Sequence, residues 1–232
     1  MTPDQPSLIR VEGVTRVYRA GQQEVPALRG VDLEIPRGIL AVLMGRSGSG
    51  KTTLLNLIGG LDQPDSGRVY FDGSPLAGMS DNELTLLRRK RIGFVFQSFA
   101  LMPTYTAFEN VEMLLRMNGL GHKERTQRAR RCLYVVGLAN WLGHRPAEMS
   151  GGQQQRLSIA RAISTRPDLI LADEPTGELD SGTTRQIAVL FRHLVEKEGL
   201  TILLTTHNPI LVEYADRVFN LKDGRLVDES LN

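Results

Sequence analysis

Cysteine is almost missing from this sequence. A single Cys132 excludes an intrachain disulfide and a thiolate metal cluster, which suits a reducing compartment. Its simplest role is that of a small hydrophobe on a helix face. Long apolar runs are missing too: no window approaches the ~20 apolar residues of a membrane-spanning helix. The polar start, Met1 to Pro6, lacks the basic-then-apolar pattern of a secretory leader, so any membrane role is expected to be exercised through a partner. Net charge is small as well. The 28 Lys and Arg against 26 Asp and Glu leave +2, too little to argue for a polyanionic partner. There is no internal repeat and no low-complexity tract.

What is present is a chain of 232 residues, 41% of them apolar, enough for one substantial core and one domain unit. The first forty residues alternate apolar and polar positions around a Gly21-Gln22-Gln23 turn and Gly30, which predicts an antiparallel β-region. Ile39 to Met44 is a short continuous apolar run, the pattern of a strand buried on both faces, and Thr52 to Ile58 reads as the helix after it. Ile92 to Phe96, Leu169 to Ala172, Thr201 to Thr205 and Val218 to Leu221 repeat the buried-strand pattern with helical spacing between them. Alternation of this kind predicts an α/β fold with a mainly parallel sheet. Between Ser98 and Pro167 the strand signal stops, and Phe108 to Met117, Arg125 to Val136 and Gln153 to Ile163 read as helices, an all-helical insertion in the sheet domain.

Gly45-Arg46-Ser47-Gly48-Ser49-Gly50-Lys51-Thr52 fits G-x-x-x-x-G-K-[ST] in full, directly after the apolar strand and opening the helix, with Thr53 following. Glycines let successive N–H groups turn inward around a phosphate, and the helix N-terminus adds partial positive charge. In this motif Lys51 bridges the β- and γ-phosphates of ATP, and the Thr52 hydroxyl ligates Mg²⁺. An unrelated glycine turn would not carry the whole pattern in this context. Leu169 to Glu174 is an apolar strand ending in two carboxylates, Asp173 and Glu174. Burying an unpaired carboxylate costs several kcal/mol, so a strand that ends this way needs cationic partners or water. Successive side chains leave a strand in opposite directions, and two roles follow: Asp173 for the Mg²⁺ shell and Glu174 as general base toward the attacking water. Alone, the pair reads equally well as a strand-end turn before Pro175. Ser150-Gly151-Gly152-Gln153 is a second glycine-bearing helix start; by itself it is an ordinary Ser-capped helix.

Met149-Ser150-Gly151-Gly152-Gln153-Gln154-Gln155-Arg156, lying between the phosphate loop and the acidic strand, closely resembles the signature sequence of ABC ATPases, and the resemblance spans nearly the whole chain. It implies a phosphate-loop ATPase core over residues 1–97 and 168–232, including the antiparallel β-region, with an all-helical signature subdomain at 98–167. It also implies head-to-tail pairing with a second copy, each ATP sandwiched between one copy's phosphate loop and the other's Ser150 and Gly152, and feeble hydrolysis by a monomer.

Other positions match the family one by one. Tyr18 corresponds to an aromatic that stacks on adenine, although a cross-strand packing residue would look the same. Gln97 matches the glutamine that contacts Mg²⁺ or the water, His207 the histidine that contacts the γ-phosphate and steadies the catalytic glutamate, and Asp180 a loop that communicates across the dimer. His122, His144 and His193 read as surface or helix residues. Glu178 stands where relatives usually carry Asn, Ser or Ala, and Met149 where Leu is usual. With Gly59-Gly60-Leu61-Asp62 and Thr176 to Asp180, the chain looks like the LolD/MacB/FtsE branch. By resemblance, Gln97 to Val111 receives a short helix of a membrane permease, which implies a cytoplasmic protein held at the inner face of the membrane. The competing readings are a soluble ABC ATPase acting on nucleic acid or the ribosome, and a signalling dimer in which turnover is incidental. One cassette and no C-x-x-C disfavour the first, and no nucleic-acid partner is expected. The basic runs Arg88 to Arg91 and Lys123 to Arg131 read as solvated helix faces.

Overall fold

The structure, a computed structural model, describes residues 7–21 and 23–231; Met1 to Pro6 and Gln22 of the expected turn lie outside them. Strands β1 (Ile9–Ala20) and β2 (Gln23–Ile35) pair antiparallel, from Ile9 opposite Ile35 to Ala20 opposite Gln23. Next come β3 (Leu40–Met44), α1 (Lys51–Ile58), β4 (Ser66–Phe71), β5 (Ser74–Pro75), α2 (Asp81–Arg91) and β6 (Ile92–Val95). Helices α3 (Ala107–Met117), α4 (His122–Val135) and α5 (Gly151–Ile163) follow, then β7 (Leu169–Asp173), α6 (Ser181–Glu198), β8 (Thr201–Thr206), α7 (Pro209–Val212), β9 (Arg217–Lys222) and β10 (Arg225–Leu231).

Two sheets result, one antiparallel in the order β2-β1-β4-β5 and one of six strands in the order β10-β9-β3-β8-β7-β6. In the larger sheet β9, β3, β8, β7 and β6 run parallel and only β10 is antiparallel. The period of two explains why these strands read as unbroken apolar runs. Leu40, Val42, Ile170, Ala172, Ile202 and Leu204 pack on one face against the helices. Ala41, Leu43, Leu169, Leu171 and Leu203 pack on the other, with α1 and the antiparallel sheet. Both faces are covered, as parallel strands require. Because the parallel strands point the same way, the segments after β3, β6, β7 and β8 emerge along one rim, the usual ligand edge of an open α/β sheet.

The expected strands and helices are present with shifted ends. At α5 capping explains the shift: Ser150 and Gln153 form a reciprocal capping box, so Gly151 and Gly152 already lie in the first turn of α5 where a loop was expected. Lys51 likewise belongs to α1, and His122 opens α4 three residues before the expected Arg125. Elements β4, β5, α2 and β10 were not anticipated. Helix α2 is mostly polar and shows itself locally only through the Ser80–Glu83 capping box. Among residues 98–167 the described backbone contains three helices and a short 3-10 turn at Pro146–Glu148, and no strand. No helix among the described residues is long and apolar enough to cross a membrane.

Candidate active site

The phosphate loop leaves β3 under tight steric control. A Cβ on Gly45 would sit 2.4 Å from the Leu221 carbonyl oxygen, and Gly50 has φ +105 with the Ala27 carbonyl 2.5 Å from where its Cβ would be. Neither position accepts a side chain without moving backbone. Gly50 also caps α1 with no side-chain acceptor, and the helix's first turn carries no acid. Its first N–H groups therefore have no internal partner, and the buried Ser49 hydroxyl has none among the described residues. Orphan donors converging at a helix N-terminus fit an anionic phosphate.

Lys51 is folded back over this loop, donating to the carbonyls of Gly45 at 2.8 Å and Arg46 at 3.3 Å. Its ammonium also pairs with Glu174 Oε1 at 3.2 Å, with only 7% of the lysine side chain exposed. The other carboxylate oxygen, Oε2, lies 3.0 Å from His207 Nδ1. Glu174 therefore joins the first turn of α1 to the end of β8. It does so with φ 44, a left-handed conformation that non-glycine residues seldom adopt and that concentrates at functional positions.

Asp173, the last residue of β7, accepts from the Thr52 hydroxyl at 3.0 and 3.1 Å and from the Thr205 hydroxyl at 2.6 Å. Thr205 Oγ1 in turn accepts from the Glu174 backbone N–H at 3.0 Å. This fully buried threonine fixes both acids, and the sequence reading passed over it as a strand residue. A signal was available: a hydroxyl inside an apolar β8 must find a hydrogen-bond partner. Thr52 and Asp173 supply hard oxygen donors of the kind Mg²⁺ takes from a protein when phosphates and water complete its shell. Among the described residues no group of three or more His, Cys, Asp or Glu is placed to hold a metal by itself.

Lys51, Thr52, Asp173, Glu174 and His207 line an open cleft of about 790 Å³ that also contains Tyr18, Arg46, Ser47, Gly48, Thr53, Gln97 and Gly177, within the usual size range of ligand sites. Tyr18 stands opposite Val25 in the β1–β2 register, so it is both a cross-strand partner and part of the cleft wall. Its hydroxyl donates to Asp62 at 2.9 Å, and Arg16 holds Asp62 through two bonds while stacking over the tyrosine ring. Arg16 was not singled out from sequence, and Asp62 was named only within the Gly59 to Asp62 motif. Gln97 follows β6 with its amide against Gly177, where a Cβ would stand 3.2 Å from Gln97 Nε2.

Ser150, Gly151, Gly152, Gln153 and Asp180 are not part of that cleft. Ser150 and Asp180 are engaged locally as N-caps, accepting from the backbone N–H of Gln153 and Thr183 respectively. The two capped helix starts sit together: a Cβ on Gly152 would meet the Thr183 methyl at 2.6 Å. Hydrogen bonds from Thr183 hold the Asp180 carboxyl below the usual carboxylate range.

The loop after Gln97 is also tightly built. Phe99 and Ala100 both have positive φ, and the buried Arg161 of α5 donates to both of their carbonyls. Fully buried Asn110 accepts from Met102 N and donates to the carbonyls of Met102, Tyr105 and Thr106. With its backbone tied this way, the loop leaves Met102 and Tyr105 exposed.

The profile of the family described as "ABC transporter" matches residues 28–177. An uncharacterized ABC transporter ATP-binding protein of Bacillus subtilis, YknY, is 45% identical over 223 residues, covering 96% of each chain. The macrolide export ATP-binding/permease protein MacB of Syntrophobacter fumaroxidans is 44% identical over 225 residues, of which this chain spans only about a third of the relative's length (32%). The fold matches, with TM-score 0.89 and 42% identity over 96% of this chain and 98% of the other, a dimeric post-hydrolysis structure of the ATP-binding cassette MJ0796 bound to ADP and Pi.

Proposed function

This chain belongs to the ABC transporter family and is an ATP hydrolase, and we propose that it works as a head-to-tail pair that drives a separate membrane permease. One observation carries the reading. Lys51, His207 and Thr52 converge on Asp173 and Glu174 in one cleft, with buried Thr205 holding both acids, while the capped glycines at Ser150 stand outside it. A second copy brings those glycines to the open side of the cleft. We assign residues 98–167 as the helical signature subdomain and the remainder as the catalytic core.

ATP binds with its phosphates on the first turn of α1 and its base against Tyr18. Lys51 then exchanges its contacts with the loop carbonyls and Glu174 for phosphate oxygens. Thr52 and Asp173 would hold Mg²⁺, which supplies positive charge to the phosphate oxygens. Released from Lys51, Glu174 Oε1 is free to accept a proton from the attacking water, and His207 keeps the carboxylate oriented through Oε2. Thr205 keeps Asp173 and Glu174 in fixed register. Gln97 lies between this chemistry and the loop that exposes Met102 and Tyr105, the surface assigned to the permease. The protein is placed by that contact on the cytoplasmic face of the membrane.

Mixing two inactive variants tests the pairing. Lys51→Ala and Ser150→Arg each lose turnover alone. In a mixed pair one composite site retains both intact halves, so up to about a quarter of wild-type activity returns at equal mixing, since half the pairs are mixed and each has one site of two. No recovery on mixing contradicts the shared site.

A further inference from the structure

At the opposite end of the larger sheet from the phosphate loop, where β7 and β8 begin, a cavity of about 310 Å³ opens between α4, the end of α5 and the end of α6. Its walls divide by chemistry. Val135, Ile163, Leu194 and Leu200 form an apolar side. Four arginines and the carboxylates Asp168 and Glu198 form the other, and the arginines differ in how well they are neutralised. Arg37 pairs with Asp72 and Asp168, and Arg131 with Glu198. Arg128 and Arg166 make no guanidinium hydrogen bond or ion pair with any described residue.

Arg166 is exposed at the rim of the cavity, whereas Arg128 is half-buried inside it with no carboxylate on its guanidinium, so Arg128 carries the larger cost of staying charged. Burial, and then the charge of Arg166, lower the affinity of Arg128 for its proton against weaker attraction from Cys132 and Glu124. Cys132 does not neutralise the pair at neutral pH, because burial pushes its thiol up to about 11. Arg166 is held at this place with φ 55, a conformation a non-glycine residue adopts at some expense. The basic run of α4 is accordingly not a uniform solvated face: Arg125 pairs with Glu112, and Arg128 turns into the cavity.

We propose that this cavity is a binding site for a small amphiphilic anion, a phosphate or carboxylate carrying a short alkyl group. The two unpaired guanidinium groups take the anionic head, for which their planar donor sets are suited. The aliphatic wall takes the tail. Such a ligand bridges α4 to the starts of β7 and β8, independently of the nucleotide cleft.

The test is calorimetric titration of hexyl phosphate into the full chain presaturated with Mg·ADP, which keeps the probe out of the phosphate loop. The expected result is one site per chain, at least tenfold tighter than inorganic phosphate measured in the same way. The double variant Arg128→Gln/Arg166→Gln should lose at least tenfold in hexyl phosphate affinity while binding ADP normally. Without probe it should melt at or above the wild-type temperature, because a repulsion has been removed. Arg166→Glu, which places an anion opposite Arg128, should raise the melting temperature and abolish hexyl phosphate binding. Equal affinity for inorganic phosphate, undiminished heats in the double variant, or a variant melting well below wild type would each overturn the assignment.

Discussion

Lys51 and Glu174 are bound to each other across the cleft, Nζ to Oε1 at 3.2 Å. In the proposed reaction, the cation assigned to the phosphates and the carboxylate assigned to the water neutralise one another until substrate arrives. Lys51→Ala should therefore weaken ATP binding by tenfold or more, in line with ~1.5–3 kcal/mol for a hydrogen bond to a charged group. Nucleotide fluorescence titration checks this, and unchanged affinity would remove Lys51 from the phosphate site.

Thr205 ties Asp173 to the Glu174 backbone. Thr205→Val keeps the shape and deletes the hydroxyl, leaving the Glu174 N–H without its acceptor. Turnover should fall by roughly 10–100-fold, the usual effect of losing a group that orients a ligand or catalytic residue. Thr205→Ser should restore most of it. Equal rates for the valine and serine variants would show that the hydroxyl does nothing for the reaction.

Arg161 is buried and holds the carbonyls of Phe99 and Ala100. Arg161→Met removes both hydrogen bonds to these part-buried carbonyls, at about 0.5–1.5 kcal/mol of folding stability for each. Chemical denaturation measures the loss. A variant as stable as wild type would mean that the loop holds its left-handed residues without help.

The phosphate loop, the acidic end of β7 and the parallel sheet were all legible in the sequence. A strand buried on both faces and a loop that must turn without side chains leave few residue choices. The roles of Arg16, Arg161 and Asn110 were not legible, because they act on partners 4 to 62 positions away; Thr205 was passed over although a hydroxyl inside an apolar strand signals a hydrogen-bond partner. Elements β4 and α2 escaped for another reason: β4 is half exposed and α2 buries only Leu84, so neither writes an apolar period. Tyr18 was read as either a packing residue or a stacking residue; it stands opposite Val25 across the strands and lines the cleft.

Asp72 gives a pH dependence. It accepts from Arg91 and Arg37, whose hydrogen bonds hold its carboxyl below the usual range. A lowered folded-state pKa stabilises the fold above the unfolded value, near 4, and the contribution is lost as pH falls through the lower folded value. Asp72→Asn should therefore be less stable than wild type at neutral pH, with the difference shrinking below about pH 4. Denaturation midpoints across that interval decide it; a constant difference would mean that the arginines do not act through the charge.

The assignment of Glu174 as general base is tested most directly by Glu174→Gln, with ATP binding and phosphate release measured on the same preparation. The account predicts that ATP still binds, that the nucleotide-bound pair accumulates on size-exclusion chromatography, and that phosphate release falls by at least a hundredfold, within the range of ~10²–10⁴ for a positioned acid or base. Phosphate release at the wild-type rate would contradict it.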